Sequence, residues 1–454
     1  MVTAGPPAAC DGTGAPNVEP SGSRILVRRS APFRVLPGRG GAAAPELLTL
    51  LSQLAPGARM ARPGDGASSG PAQRAASYAV LPDVSRPRLL VPLDDRRAAA
   101  AAIGSRFDRS TSPVLQAART LARAGLRSGA LPRLAGDRLD VLRTGGRLPA
   151  PLLADHLAAI YEQPVLLTGS VRRRDPHQSQ VLQVLSLQGR TLGFAKIARN
   201  DLTRALLAAE REALARSATA RMPTVRAPEI VDFSVWNGLE VLVTSVLPLL
   251  PDAVSSRREP PPVQVTEEIA SSGHPWSGPL ADSPYWAAVR ERAELVGSAA
   301  GPGPAADLAE ALHRLGGLGA APVRLGGWHG DWVPWNFSSA GDTLNVWDWE
   351  YAGPAVPVGF DLLHFHCGVA FFRDQLPLGP ALFLAQGRAR GALRQLGLDE
   401  GGARLVTALF GIESMLRRLE ISAAGGGTDD RRVYPEIGPA VTAVARMAVT
   451  TATP

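Results

Sequence analysis

Lysine is almost absent from this chain. Of the 48 basic side chains in 454 residues, one is lysine and the others are arginine. The single lysine, Lys196, lies in TLGFAKIA, an alternating run that predicts a central β-strand. An ammonium is a compact charge that reaches between phosphate oxygens differently from a planar guanidinium. Lys196 therefore indicates a specific chemical need, or else a lysine retained by chance at a solvent-facing strand position.

Cysteine and long apolar runs are also scarce. Two cysteines, Cys10 and Cys367, lie far apart in the sequence and indicate neither a disulfide framework nor a cysteine-based metal site. No apolar run reaches the ~18 residues that predict a transmembrane helix. The first 25 residues lack the apolar core of a secretory signal. We therefore expect a cytoplasmic protein without a transmembrane segment.

The positive charge is concentrated in the first third of the chain. The net charge is +7, yet residues 1–150 contain 21 arginines against 10 acidic residues, and the rest of the chain has a slight acidic excess. The arginines are interspersed, and no pattern of aromatic side chains accompanies them. The sequence therefore gives no strong indication of nucleic-acid binding, and a solvated arginine-rich segment is the simpler interpretation.

Composition divides the chain into four predicted parts. Residues 1–75 are rich in Gly, Pro, Ala and Arg and predict a mostly disordered leader, with one helix-like stretch at Glu46–Ala55. Residues 76–150 predict a small α/β module without a chemical motif. Residues 151–250 predict a β-rich lobe, and residues 251–454 predict a mostly helical lobe. The predicted fold class is therefore α+β with two lobes.

The β-rich lobe is predicted to contain five strands, with one helix between the third and the fourth. The predicted elements are Val165–Thr168, Val181–Leu187, Thr191–Ile197, a helix from Asn200 or Asp201 to Ser217, Ile230–Phe233 and Leu239–Val246. Glu210 falls on this helix between leucines. A carboxylate on an apolar stripe costs several kcal/mol on burial unless a cation pairs with it. Lys196, on the preceding strand, is the predicted partner, unless Glu210 faces water at the helix edge.

A second group of polar residues lies in GGWHGDWVPWNFSSAGDTLNVWDWE, residues 326–350. Asp331 and Asn336 stand five positions apart in a loop that contains a proline, and Asp348 ends a strand-like run. His329 precedes this set and Glu350 follows it. Phosphoryl transfer requires a carboxylate to accept a hydroxyl proton and oxygen ligands for Mg²⁺. This group could supply both.

The motifs HGDWVPWN and VWDWE resemble the catalytic and metal loops of the aminoglycoside phosphotransferase and choline kinase superfamily, which has a protein-kinase-like fold. The resemblance covers residues 160–420. It implies that Asp331 accepts the hydroxyl proton and that Asn336 and Asp348 bind Mg²⁺. It also implies that Lys196 binds the nucleotide phosphates of ATP or GTP and that Glu210 holds Lys196 in place.

The resemblance implies further assignments. His329 would brace the loop, Asp361 would brace or cap it from the next helix, and Val246–Leu249 would form the hinge that binds adenine. One departure concerns the first loop, LTGSVRRRDPHQSQV, which has a single glycine, so phosphate binding by its backbone is poorly indicated.

Two functions from different classes fit these residues. The first is an ATP- or GTP-dependent O-phosphotransferase that acts on a small hydroxylated molecule, such as an aminoglycoside, a sugar or an amino alcohol. The alternative is a catalytically silent kinase-like module that binds a nucleotide and recruits partners through residues 1–150. A protein kinase is disfavoured because 13 residues separate Asp348 from Asp361, too few for a long peptide-docking loop. The acceptor is expected in the helical lobe near residues 252–300, where His274, Trp276, Asp282 and Trp286 could line its pocket.

Overall fold

The computed structural model describes most of the chain. The described residues are 43–56, 58–61, 73–104, 113–128, 137–143, 151–171, 177–248, 260, 262–297, 302–424 and 434–450. The first 42 residues of the predicted leader, and the arginines at positions 172–174 of the first loop, lie outside them. The helix expected at Glu46–Ala55 is present as Pro45–Leu54.

Fifteen strands are found in the described part of the chain. They are β1 Arg59–Ala61, β2 Gln73–Leu81, β3 Leu89–Pro92, β4 Asp137–Arg143, β5 Val165–Ser170, β6 Gln180–Ser186, β7 Thr191–Ile197, β8 Val225–Arg226, β9 Ile230–Trp236, β10 Leu239–Thr244, β11 Trp276–Pro279, β12 Pro322–Trp328, β13 Phe337–Ala340, β14 Thr343–Val346 and β15 Gly353–Pro357.

The same residues form twelve α-helices. They are α1 Pro45–Leu54, α2 Arg96–Ile103, α3 Pro113–Ser128, α4 Leu153–Tyr161, α5 Asp201–Thr219, α6 Val263–Ser271, α7 Pro284–Gly297, α8 Pro302–Gly316, α9 Phe360–Gly368, α10 Leu378–Gln395, α11 Glu400–Ala423 and α12 Tyr434–Thr450. A 3₁₀ turn at Leu280–Asp282 precedes α7, and a π-helical turn at Val369–Arg373 extends α9. No helix among the described residues combines the length and apolar character that a membrane span requires.

Nine strands form one antiparallel sheet in the order β1-β4-β2-β3-β5-β6-β7-β10-β9. The five strands predicted for the β-rich lobe, β5, β6, β7, β9 and β10, make one half of this sheet. Strands β1 to β4 make the other half, because Leu89 and Leu90 of β3 pair with Ser170 and Gly169 of β5. The segment expected as an appended module therefore extends the sheet of the β-rich lobe.

Local sequence explains how α5 and the β9–β10 hairpin are placed in this lobe. Asn200 caps α5 by accepting a hydrogen bond from the Thr203 amide at 2.8 Å, and the Thr203 hydroxyl accepts one from the Asn200 amide at 3.0 Å. Asn237 and Gly238 form the two-residue hairpin turn, with φ of 48° and 75°. Both values are those of a type I′ turn, whose twist matches that of the flanking strands.

The helical lobe has its own apolar core. Helices α7 to α12 pack around a large buried cluster that includes the 0% exposed side chains of Phe360, Leu393 and Met415. A separate cluster, with Trp332, Phe337 and Trp349 at its centre, contacts α5 through Ala213 and Leu214. The predicted α+β class, with a β-rich part followed by a helical part, is confirmed.

Candidate active site

Lys196 lies on β7, between β6 and β10, and its side chain is almost completely buried. Its Nζ donates to Glu210 Oε2 and to Asp348 Oδ1, both at 2.6 Å, and lies 3.5 Å from Glu350 Oε2. The three carboxylates come from α5 and from the segment that follows β14. The structure therefore brings together a strand lysine, a helix glutamate and two loop carboxylates that are distant in sequence.

The pKa shifts in this group reflect competition between burial and charge. Burial lowers the pKa of Lys196, but the attraction of Asp348, Glu210 and Glu350 outweighs it and holds that pKa well above its usual value. Burial raises the pKa of Glu210 despite the adjacent lysine. Burial also raises the pKa of Glu350 to about 8, with further repulsion from Asp348 and Glu210. Among the described residues, three carboxyl groups thus share one lysine.

This surplus of carboxylates fits a divalent cation. Glu210, Asp348 and Glu350 each offer an oxygen, and these oxygens lie within 4.8 Å of one another. Mg²⁺ takes oxygen ligands and usually binds through one or two carboxylates, with phosphates and waters completing its shell. Asp348 is the most accessible of the three, with its side chain 35% exposed. The donor set therefore fits Mg²⁺, and Asp348 is the carboxylate best placed to share the ion with a ligand.

The backbone at Asp348 is itself unusual. Its φ is 72°, in the left-handed region that non-glycine residues seldom occupy. Such a conformation costs about 1–3 kcal/mol and persists where the surroundings determine it. Here it turns the chain immediately after β14, at the point where the Asp348 carboxylate meets Lys196.

Asp331 and Asn336 form the second part of the candidate site. The Asn336 Nδ2 donates to Asp331 Oδ2 at 2.7 Å and to the Asp331 carbonyl oxygen at 3.0 Å. Asn336 is buried, whereas the Asp331 side chain is 30% exposed. These hydrogen bonds fix the position of the Asp331 carboxylate. Because the Asn336 Nδ2 points toward Asp331, metal coordination by Asn336 would use its Oδ1.

The loop before Asp331 is braced by buried polar groups. Asp361, on α9, accepts hydrogen bonds from the amides of His329 at 2.9 Å and Gly330 at 3.1 Å. The Asp331 amide donates to His329 Nδ1 at 3.2 Å, and His329 Nε2 lies 3.0 Å from the Trp347 carbonyl oxygen. Nδ1 therefore accepts and Nε2 donates, which requires a neutral ring. Burial also favours the neutral ring, because it lowers the pKa of His329 to about 4.

Gly330 is the tightest point of this loop. Its φ is +80°, and a Cβ placed there would lie 2.0 Å from the Tyr351 carbonyl oxygen. The Gly330 carbonyl oxygen accepts a hydrogen bond from Arg417 Nη1 at 2.6 Å. The Arg417 guanidinium also lies over the rings of Trp328 and Tyr351, at 5.0 and 4.5 Å from their centres. Through Arg417, helix α11 thus contacts and braces the loop that carries Asp331.

The sequence motifs did not identify three of these neighbours in their roles. Arg417 donates to the Gly330 carbonyl oxygen from 87 positions downstream, and Glu350, which follows Asp348 in the sequence, contacts Lys196. His364, on α9, places its Nε2 3.9 Å from Asp331 Oδ1. Burial and the nearby Arg417 charge lower the pKa of His364 to about 3, so it faces Asp331 as a neutral ring.

Other residues expected near the site pack in apolar cores or join elements of the fold. Trp332 is fully buried and stacks on Phe337, with ring centres 5.2 Å apart, as expected of a packing residue. Trp286 is buried in the helical core. In the predicted hinge, the Pro248 carbonyl oxygen accepts a hydrogen bond from Asn345 Nδ2, which ties the end of the β-rich lobe to β14. The roles of the hinge and of the acceptor pocket stay predictions.

No protein-family model matches the chain, and no curated protein matches it in sequence. Solved structures similar to it include a thermostable mutant of aminoglycoside phosphotransferase APH(4)-Ia in complex with ADP and hygromycin B. That pair shares 13% identity, with 65% of this chain and 98% of the other covered and a TM-score of 0.44.

Two further structures are amicoumacin kinase hAmiN in complex with AMP-PNP, Ca²⁺ and Ami, and spectinomycin phosphotransferase APH(9)-Ia in complex with ADP and spectinomycin. The first shares 11% identity over 62% of this chain and 88% of the other, with a TM-score of 0.38. The second shares 10% identity over 66% of this chain and 99% of the other, with a TM-score of 0.39. All three proteins are kinases or phosphotransferases.

Proposed function

We propose that this chain is a small-molecule kinase that transfers the γ-phosphate of ATP or GTP to a hydroxyl group. The observation that carries the proposal is the convergence of Lys196, Glu210 and Asp348, with nitrogen–oxygen distances of 2.6 Å. A buried lysine between a helix carboxylate and a loop carboxylate is the arrangement that kinase-like phosphoryl transfer uses to hold phosphates and metal.

Each residue has a role that follows from its surroundings. Lys196, held by Glu210, would bind the nucleotide phosphates. Asp348 and Asn336 would hold Mg²⁺, which when bound neutralises charge on the phosphates. Asp331, fixed by Asn336 and partly exposed, would orient the acceptor hydroxyl and receive its proton.

The segment after Asp348 supports a small acceptor. Strand β15 begins at Gly353 and pairs with β12, and α9 begins at Phe360. These elements occupy the chain between the candidate metal residue and the loop brace Asp361. A long peptide-docking loop therefore has no place between them. A compact acceptor such as a sugar, an amino alcohol or an aminoglycoside is the proposed substrate class.

The experiment that tests the proposal measures acceptor-stimulated release of nucleoside diphosphate in the presence of Mg²⁺. Purified protein is assayed with ATP and with GTP against a panel of hydroxylated acceptors. Asp331→Asn removes the proton acceptor but keeps the side-chain shape. Asp342→Asn, in the exposed turn between β13 and β14, is the matched control.

We expect at least one acceptor to stimulate turnover by the wild type. Asp331→Asn should reduce that turnover by about 10²–10⁴-fold, the usual contribution of general acid–base catalysis. Asp342→Asn should match the wild type. Nucleotide binding without turnover on any acceptor would contradict the proposal and favour the binding-module alternative.

A further inference from the structure

A second charged cavity lies away from the candidate active site. It has a volume of about 360 Å³ and lies between α2, α3 and the turn that joins β6 to β7. Its polar lining is formed by Arg96, Arg97, Arg123, Arg127, Gln188 and Gly189. The size is that of a small-ligand site. None of the residues assigned to the candidate active site contributes to it.

The arginines of this cavity have no ion-pair partner among the described residues. Asp95, the nearest carboxylate in the sequence, accepts hydrogen bonds from the amides of Arg97 at 2.7 Å and Ala98 at 2.9 Å, where it caps α2. Four guanidinium groups therefore line one cavity of about 360 Å³, and no carboxylate in the described part of the chain pairs with them.

Their positions on the helices make this concentration of charge unfavourable by itself. Arg123 and Arg127 are four residues apart on α3, where like charges repel each other. Arg96 and Arg97 lie in the first turn of α2, the end at which the helix dipole disfavours cations. A bound anion would offset both effects, because it would lie among the guanidinium groups and near the positive end of α2.

The cavity is built from packed elements. Ala98, Ala102, Ala122 and Leu126 belong to one buried cluster that joins α2 to α3. Gly189 has a φ of +77°, and a Cβ there would lie 2.6 Å from the Arg97 carbonyl oxygen. The β6–β7 turn therefore contacts the start of α2 directly. Packed helices thus place the four exposed arginines around the same space.

We infer that this cavity binds a small molecule with two or more linked phosphate groups. Guanidinium groups match phosphate oxygens in bidentate geometry. Among the described residues, the lining contains no aromatic side chain on which a nucleobase could stack. The phosphate chain is thus the part recognised, whether it comes from inorganic polyphosphate or from a nucleotide.

The test is calorimetric titration of the full-length protein with inorganic tripolyphosphate, in EDTA to remove divalent metal. Arg123→Gln/Arg127→Gln removes two lining charges from α3, and Arg96→Gln/Arg97→Gln removes two from α2. Arg390→Gln/Arg394→Gln is the matched control, an exposed pair with the same spacing on α10 whose arginines contact Glu400. Parallel titrations with ATP and AMP distinguish the two sources of phosphate.

We expect wild-type protein to bind tripolyphosphate, and each lining variant to lose about tenfold or more in affinity. The control should change by less than about twofold. The ATP binding that the lining variants reduce should be no tighter than tripolyphosphate binding, and AMP binding should not respond to these variants. The two lining variants lie on different helices. If one of them does not fold, the affinity of the other variant still tests the inference. Equal affinities in the wild type and a folded lining variant, or an equal loss in the control, would overturn the inference.

Discussion

Replacing Lys196 by methionine removes the cation that contacts three carboxylates. Glu210 is 3% exposed, and the Asp348 and Glu350 side chains are 35% and 13% exposed. Removing one partner of a buried ion pair typically costs about 3–5 kcal/mol, because the remaining charge is left uncompensated. Since Asp348 is partly solvated, we expect the lower end of this range, a loss of about 3 kcal/mol in the free energy of unfolding.

Glu210→Gln is the matched comparison within the same group. The glutamine keeps an oxygen that can accept from Lys196, and Lys196 keeps its 2.6 Å bond to Asp348. The substitution also removes one carboxylate from a group in which three carboxyl groups contact one lysine. We therefore expect it to lower the free energy of unfolding by only about 1 kcal/mol, the net value of one hydrogen bond.

Urea unfolding monitored by tryptophan fluorescence measures both effects, because Trp332 and Trp349 are buried beside the cluster. Added Mg²⁺ should stabilise Lys196→Met more than the wild type, since the variant lacks a cation among the same oxygens. A Lys196→Met protein as stable as the wild type, or less destabilised than Glu210→Gln, would refute the view that the lysine holds this cluster together.

Two further substitutions test the loop and the buried histidines. Gly330→Ala should abolish turnover because its Cβ would meet the Tyr351 carbonyl oxygen, whereas Gly341→Ala, at φ +64° with open space around it, should retain turnover; equal activities would contradict this. His366 has a folded pKa lowered to about 4 by burial, so the folded state binds fewer protons than the unfolded state between pH 4 and its ordinary value of 6.5. The contribution of His366 to stability should therefore fall as the pH drops through this window, and His366→Gln should lower the slope of stability against pH by up to about 1.4 kcal/mol per pH unit. Urea unfolding at several pH values, with the exposed His313→Gln as control, checks this, and unchanged slopes would contradict it.

Local patterns were sufficient to predict the elements that carry the site. The alternation around Lys196 predicted β7, and Asn200 predicted the start of α5, which the structure places at Asp201 with Asn200 as its cap. The pairing of Lys196 with Glu210 followed from the cost of burying either charge alone. These are short-range arguments, in which a strand leads directly into the next helix.

Long-range contacts were not predictable in the same way. The pairing of β3 with β5 joins residues 79 and 81 positions apart in the chain, and neither strand contains a signal for the other. The extension of the sheet into the segment before residue 150 was therefore missed. Arg417 and His364 approach the Asp331 loop from α11 and α9, and their positions depend on helix packing that no local spacing encodes.

The most direct test of the central claim is to identify the product. After incubation of the protein with Mg²⁺, ATP and a stimulating acceptor, two-dimensional ³¹P–¹H correlation spectroscopy detects a phosphate ester and the carbon position that carries it. We predict an ester on an acceptor hydroxyl, formed by the wild type and by Asp342→Asn but not by Asp331→Asn. Release of inorganic phosphate alone, or an ester formed equally by Asp331→Asn, would contradict the account.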